Sequence, residues 1–271
     1  MPTRPGAGVP QPLPGLRAMR RVLVTGASRG IGRAVALAFA ERGDRVGVHY
    51  AAGRADAEET LRRLPGSGHA LLAGDLGDPQ AARDVVDGAV RDLGGIDVLV
   101  NNAAAAPSED TRHLVTEVSY EDWQRAWHRM VDVNLLGAAN VTYCVARHLI
   151  DRAGTGSIVN IGSRGAFRGE PDFPAYGASK AALHAFGQSM AVALAPHGIA
   201  VTSVAPGFVA TERQAQKLAG SGGEALRDQS PFGRVGTPEE VAAAVLYLAS
   251  PEAAWSSGTV LDLNGASYLR T

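Results

Sequence analysis

Tyr176 and Lys180 stand four residues apart in Tyr176-Gly177-Ala178-Ser179-Lys180, a spacing that sets two side chains on one face of a helix. A phenol titrates near pH 10, too high for easy proton exchange at neutral pH, but a neighbouring ammonium favours the phenolate and brings that proton within reach. Such a pair suits the proton half of a carbonyl reduction or an alcohol oxidation. Alone, a tyrosine and a lysine at this spacing are more often plain helix-surface neighbours, so the reading depends on the rest of the chain.

A second chemical feature is Thr25-Gly26-Ala27-Ser28-Arg29-Gly30-Ile31-Gly32. Glycines Gly26, Gly30 and Gly32, with Ser28, Arg29 and Ile31 between them, allow a sharp turn whose N–H groups and following helix N-terminus can meet a pyrophosphate. A glycine-rich turn is weak evidence by itself, but this one follows a strand and opens a helix. Cofactor type is read at the end of the second strand, His49-Tyr50-Ala51-Ala52-Gly53-Arg54, where NAD sites usually carry an acid. No acid is present; Arg29 and Arg54 would meet a 2′-phosphate beside Tyr50, so NADP(H) is favoured over NAD(H). A solvated surface role explains Arg54 nearly as well.

These residues need elements to hold them. Short aliphatic or β-branched runs at 22–24, 46–50, 69–73, 98–101, 157–161, 201–204 and 260–263 predict seven strands. Amphipathic stretches at 31–42, 79–93, 120–149, 175–194 and 238–248 predict the crossover helices of a parallel sheet. Asp78 before Pro79 and Thr237 before Pro238 supply N-caps with proline at the first helical position. The expected fold is α/β, a Rossmann-type doubly wound seven-stranded parallel sheet with helices on both faces, in a single domain over residues 19–271. Residues 206–236, glycine-rich and without a period, are expected to form a substrate lid.

Taken together, the Thr25 to Gly32 turn, Asn101-Asn102-Ala103, Asn134, Ser163 and Tyr176 with Lys180 occur in the order seen in the short-chain dehydrogenase/reductase family, which the chain resembles over roughly residues 21–263, as in its 3-oxoacyl-reductase-like subgroup. The resemblance implies a catalytic set of Asn134, Ser163, Tyr176 and Lys180. Tyr176 would be the general acid/base, Lys180 would hold the nicotinamide ribose and lower the tyrosine pKa, Ser163 would bond the substrate oxygen, and Asn134 would hold a relay water. It further implies an adenine contact at Asp75, support of the central sheet beside the cofactor by Asn102, contacts to the nicotinamide carboxamide from Val209 and Thr211, and further cofactor-binding positions at Leu76, Ala103, Pro206 and Gly207. A turn or helix cap remains the bland reading of Asp75, and a strand-end turn that of Ser163. A homo-oligomer, tetramer or dimer, is also implied. Two positions depart from the pattern: Ala104 stands where glycine is usual, and Asn264-Gly265-Ala266 replaces Asp-Gly-Gly.

Composition narrows the partners. At 271 residues, 20% charged and net −1, the chain offers no basic field for nucleic acid, and no run of about eighteen apolar residues predicts a membrane span. Residues 1–18, rich in proline and glycine, are expected to be a disordered arm without a signal-peptide core. One cysteine, Cys144, read as buried and inert, fits a reducing, cytoplasmic setting. The seven histidines show no metal-ligand spacing, so no metal is expected. Trp123 and Trp127 read as packing residues. Phe167, Phe173 and Phe208 suggest an apolar substrate wall; Arg164 and Arg168 could face an anionic substrate group or make surface salt bridges. The expected function is NADP(H)-dependent hydride transfer to or from a small-molecule ketone or secondary alcohol. The rivals are a non-catalytic nucleotide-binding sensor or scaffold, an NAD-dependent relative, and a lyase or epimerase.

Overall fold

The computed structural model describes residues 18–270; nearly all of the expected arm at 1–18 lies outside them. Seven strands form one sheet: β1 Arg21–Val24, β2 Arg45–Tyr50, β3 Ala70–Ala73, β4 Val98–Asn101, β5 Gly156–Ile161, β6 Ile199–Pro206 and β7 Val260–Leu263. All pairings are parallel, in the order β3-β2-β1-β4-β5-β6-β7. The chain builds outward from β1 in one direction and then restarts at β4 in the other. The crevice where ligands collect in such sheets therefore lies above the C-terminal ends of β1 and β4.

Helices cover both faces: α1 Gly30–Glu41, α2 Arg54–Arg63, α3 Pro79–Leu93, α4 Tyr120–Val131, α5 Ala138–Asp151, α6 Gly165–Arg168, α7 Pro174–Leu194, α8 Ala215–Ala219, α9 Gly223–Arg227 and α10 Pro238–Leu248. Strand residues alternate between two cores, as a pleated sheet requires. Val22, Val24, Val98 and Val100 pack with Val35, Phe39 and Val245 of α1 and α10. Leu23 and Leu99 turn to Leu93, Val145, Leu149 and Leu194 of α3, α5 and α7. The expected caps form: Asp78 accepts from the Gln80 N–H at 2.9 Å, and Thr237 and Glu240 make a reciprocal capping box.

The architecture departs from the sequence expectation in four places. A helix absent from that expectation, α2, opens at Arg54 just beyond β2. The long helical run 120–149 is interrupted by a π-turn over Asp132–Gly137, the kind of bulge that re-aims side chains at functional sites. A side chain at Gly137 would lie 2.7 Å from the Leu76 carbonyl oxygen, so the bulge lets the chain pass close to the end of β3. The expected lid is not structureless. It is closed at its base by a bridge between Val209 and Gly236 and contains α8, α9 and a 3-10 turn over Glu212–Gln214. Cys144 is half-buried rather than buried, although burial still pushes its thiol up, which keeps it unreactive. Among the described residues, no helix is long and apolar enough to cross a membrane, and no cluster of potential metal ligands occurs.

Candidate active site

The glycine turn sits at the crevice. Gly26 adopts φ +63°, and a side chain there would meet the Ala103 backbone at 2.8 Å. At Gly32 a Cβ would lie 2.3 Å from the Gly26 carbonyl oxygen, so α1 packs onto its own turn with no room for a methyl group. Ile31 packs against the α1–α10 core. The turn is braced from two neighbouring strands. His49 of β2 accepts from the Gly26 N–H at 3.0 Å through Nδ1, while its Nε2 reaches the Gly74 carbonyl at 3.0 Å. Burial holds its pKa near 4, so the ring is neutral and the Nε2–H is the donor. From the end of β4, the Asn102 amide donates to the Thr25 and Gly26 carbonyls, both at 2.9 Å, and the Ala103 N–H donates to the Thr25 hydroxyl at 3.0 Å.

This cradle has the donor set of an anion site, and an anion of the protein's own tests it. The Glu212 carboxylate, from the lid, accepts from the Gly30 N–H at 3.0 Å and from Arg33 Nη1 at 3.1 Å. Thr211, next to it, lies against Gly30. A phosphate fits where that carboxylate lies. Arg33, which the sequence reading passed over, is held rigidly: Nε donates to the Thr60 hydroxyl at 2.9 Å and Nη2 to the Ser28 carbonyl at 2.6 Å. The signal was available, since Arg33 stands four residues after Arg29 and one turn into the helix.

Of the two arginines expected near a 2′-phosphate, Arg29 is exposed, its nearest carboxylate, Asp56, at 3.9 Å. Arg54 is turned aside: its guanidinium donates to Glu58 at 2.7 Å, one helical turn on, and is 73% exposed. Tyr50 is buried in the α1–α10 core at 8% exposure. Asp75 makes the turn-cap contact of its bland reading, accepting from the Gly77 N–H at 3.0 Å, and also pairs with Arg129 at 2.8 Å. Leu76 is buried beneath it. On the far side of the crevice, the Gly207 N–H donates to the Leu263 carbonyl at 2.9 Å, and the Pro206 carbonyl accepts from the Arg164 N–H at 3.0 Å. Val209 is buried in its bridge with Gly236.

The expected catalytic side chains come from β5, α7 and the π-turn. Helix α7 starts beside them because Pro174 occupies its first turn and His113, wholly buried, accepts from the Ala175 N–H at 3.0 Å. His113 in turn packs edge-on against Trp123 and Phe173, with ring centres 5.8 and 6.2 Å away. Phe173 and Trp123 thus serve the helix start; Trp127 packs 5.8 Å from Trp123. Lys180 is 2% exposed; its Nζ donates to the Ile161 carbonyl at 2.7 Å and lies 5.9 Å from the Tyr176 ring centre. Burial pulls its ammonium down to about 8.

The sign of the Tyr176 shift is the reverse of the one expected. Burial pushes the phenol up to about 12, with Glu170 adding to the rise; the Ser163 hydroxyl and the Arg213 guanidinium oppose it. Lys180 is spoken for by the Ile161 carbonyl, and the charge favouring the phenolate comes from Arg213 in the lid. Asn134 lies in the π-turn, against the start of α7. Its amide braces the segment after β4 against α7, accepting from the Ala105 N–H at 2.8 Å and donating to the Ala105 carbonyl at 3.2 Å and the Ser179 hydroxyl at 3.0 Å. Ser163 Oγ accepts from the Gly165 N–H at 3.0 Å, which fixes its turn.

The expected substrate wall divides. Phe208 lines a cavity of about 410 Å³ together with Arg164. Phe167 packs behind the site, stacked on His184 at 5.3 Å and covered by Arg270 at 4.5 Å.

This arrangement can hold a dinucleotide along β1 and β4 and present a neutral phenol to an oxygen beside Ser163. Known proteins resemble the chain in sequence and fold. A family model described as Enoyl-(Acyl carrier protein) reductase matches residues 26–265. The L-rhamnose 1-dehydrogenase (NAD(P)(+)) of Sphingomonas sp. (strain SKA58) is 36% identical over 253 residues, covering 92% of this chain and 96% of the relative. The 3-oxoacyl-(acyl-carrier-protein) reductase of Vibrio cholerae is 35% identical over 247 residues, covering 91% and 96%. A short chain dehydrogenase from Burkholderia cenocepacia J2315, solved in complex with NADP, superposes with a TM-score of 0.81 at 31% identity, covering 92% of this chain and 97% of the other. Likeness of that extent, running the whole length of the sheet and its crevice, makes the chain a member of the short-chain dehydrogenase/reductase family, enzymes that act on CH–OH or C=O groups with NAD(P).

Proposed function

We propose that the protein is an NADP(H)-dependent oxidoreductase that moves a hydride between nicotinamide and a ketone or secondary alcohol, with Tyr176 as the general acid/base. The observation that carries this reading is a half-buried Tyr176 beside Ser163, holding its proton up to about pH 12, next to a buried Lys180. Bound dihydronicotinamide would supply the hydride. A phenol that keeps its proton is a ready donor at neutral pH, so Tyr176 protonates the oxygen that becomes an alkoxide as the substrate is reduced. Ser163 holds that oxygen by donating a hydrogen bond, and Lys180 holds the cofactor ribose. Oxidation of an alcohol needs the phenolate instead, and Arg213 and Ser163 are the groups that favour it. Asn134 keeps Ser179 and the Ala105 backbone in place around them.

The NADP(H) preference is supported by an exposed Arg29 close to the cradle, whose one carboxylate neighbour, Asp56, lies 3.9 Å away, by Arg33 with a donor turned to an anion, and by a second strand that ends in His49-Tyr50 without an acid. Exposed Tyr143 on α5 and Val192 on α7 support a dimer or tetramer as the working assembly. The test is Tyr176→Phe. Turnover of a carbonyl panel, read by NADPH absorbance, should fall by about 10²–10⁴-fold, while NADPH binding persists. Near-normal turnover removes Tyr176 from its role; a higher kcat/KM with NADH than with NADPH removes the cofactor preference.

A further inference from the structure

Arg164 directly follows Ser163 and is buried, with 7% exposure, yet it has no carboxylate within ion-pair distance among the described residues. Its Nη1 donates to the Ser267 hydroxyl and its Nη2 to the Gln229 side-chain oxygen. Arg168 Nη1 reaches the same Gln229 oxygen at 3.4 Å. Two guanidiniums thus share one neutral amide oxygen. Other sheltered arginines of the fold are treated differently: Arg20 pairs with Asp44 at 2.7 Å, Arg21 and Arg152 with Asp97 at 2.7 and 2.6 Å, and Arg33 with Glu212 at 3.1 Å. The nearest acid, Glu170, lies against Gly165 and Gly177 and makes no ion pair, and burial raises its own carboxyl towards the neutral form. Burial likewise disfavours the charge on Arg164. A buried guanidinium without a counter-charge is unfavourable and needs a reason.

The reason lies in what Arg164 faces. It lines the cavity of about 410 Å³ beneath the lid, where Gln229 and Ser267 are polar and Phe208, Leu226 and Leu263 are apolar. A guanidinium has five N–H donors in a planar fork that matches a carboxylate edge, and the Gln229 carboxamide oxygen stands where an oxygen of its planar isostere, a carboxylate, would lie. Arg164, in the lining of this cavity, directly follows Ser163, the residue assigned to the reacting oxygen.

We propose that Arg164 receives a carboxylate of the substrate, so that the enzyme acts on oxo acids and hydroxy acids whose acid group is separated from the reacting carbon by a short apolar chain. This rests on the hydride-transfer reading above. Gln229 and Ser267 position the guanidinium, and the Phe208–Leu226–Leu263 wall accepts the chain. The preference for acids arises because a neutral ligand leaves the guanidinium pair uncompensated, whereas an anion completes it.

The test pairs pyruvate, acetoacetate, 4-oxopentanoate and 5-oxohexanoate with their methyl esters, followed by NADPH oxidation with the full chain. The wild type should prefer the acid at one or more chain lengths by at least about tenfold in kcat/KM. Arg164→Gln should bring that acid-to-ester ratio to unity or below. Gln229→Glu, which supplies the missing counter-charge from within and so favours folding, should collapse the same ratio. Equal use of acid and ester by the wild type at every length overturns the proposal. So does an Arg164→Gln variant that loses both members of each pair equally, which would make Arg164 a latch between lid and C-terminal segment. If neither acids nor esters turn over, the hydride-transfer reading has failed instead, and calorimetric titration of 4-oxopentanoate into the NADPH-bound protein decides this one: binding lost in Arg164→Gln upholds it, and equal or absent binding overturns it.

Discussion

The cofactor cradle and the proton site lie at neighbouring strand ends and are built on opposite terms. In the cradle, each brace finds a partner. Both nitrogens of His49 are engaged, the Asn102 amide serves two carbonyls, and a lid carboxylate meets the Gly30 N–H. The turn is specified by space, since Gly26 and Gly32 have none to spare. At the proton site, burial works against the two groups proposed to serve the proton transfer: Tyr176 is pushed up to about 12 and Lys180 down to about 8. A binding surface can be settled by satisfying every group, whereas a group that must exchange a proton is held away from its resting value, at a cost in stability.

That contrast can be broken or sharpened by four measurements. The largest effect is expected from Lys180→Met, which should lower turnover by about 10²–10⁴-fold with Tm unchanged or raised. The lysine pKa falls from 10.5 to about 8 on folding, so at pH 7 its charge opposes folding, and that opposition fades as pH rises from 8 towards 10.5. A large drop in Tm would show that the Ile161 contact outweighs the burial of the charge. Gly32→Ala should behave in the opposite manner. It should destabilise the fold by about 3 kcal/mol in urea denaturation, because the added methyl meets backbone on two sides; an unchanged midpoint would show that the turn has slack.

Histidines from both regions set the third. His49 and His184 are each held from 6.5 down to about 4, chiefly by burial. The unfolded chain takes up protons that the folded one refuses, so their contribution is complete above about pH 6.5 and is lost as pH falls towards 4, on the order of 3 kcal/mol for each. Thermal melts between pH 4 and 7 check this, and His49→Asn should flatten the slope. The smallest effect belongs to Glu212→Gln. Removing the exposed carboxylate from the Gly30 and Arg33 donors should tighten NADPH binding by about three- to tenfold, read by fluorescence titration. Weaker binding would mean that Glu212 closes the lid over the cofactor instead of competing with it.

Much of the sheet was legible because its causes are local. Short aliphatic runs marked Val22-Leu23-Val24 and Val98-Leu99-Val100, and Asp78-Pro79 and Thr237-Pro238 carry their helix starts in consecutive residues. The lid and the π-turn were not legible. Their conformations are set by distant partners, Gly236 against Val209 and the Leu76 backbone against Gly137, which no local period encodes.

The candidate site divides in the same way. The sequence by itself determined the glycine turn, the Tyr176–Lys180 spacing and the strand ends that carry Asn102 and Ser163, because each follows from steric and hydrogen-bonding rules among neighbouring residues. Only the tertiary structure decided that Arg54 turns to Glu58 while Arg33 faces an anion, that Lys180 binds a carbonyl while Arg213 faces the phenol, and that Arg164 is buried without a counter-charge. Charge interactions and desolvation depend on distance through space, and in this fold the groups that set them arrive from β2, the lid and the C-terminal segment, far away along the chain.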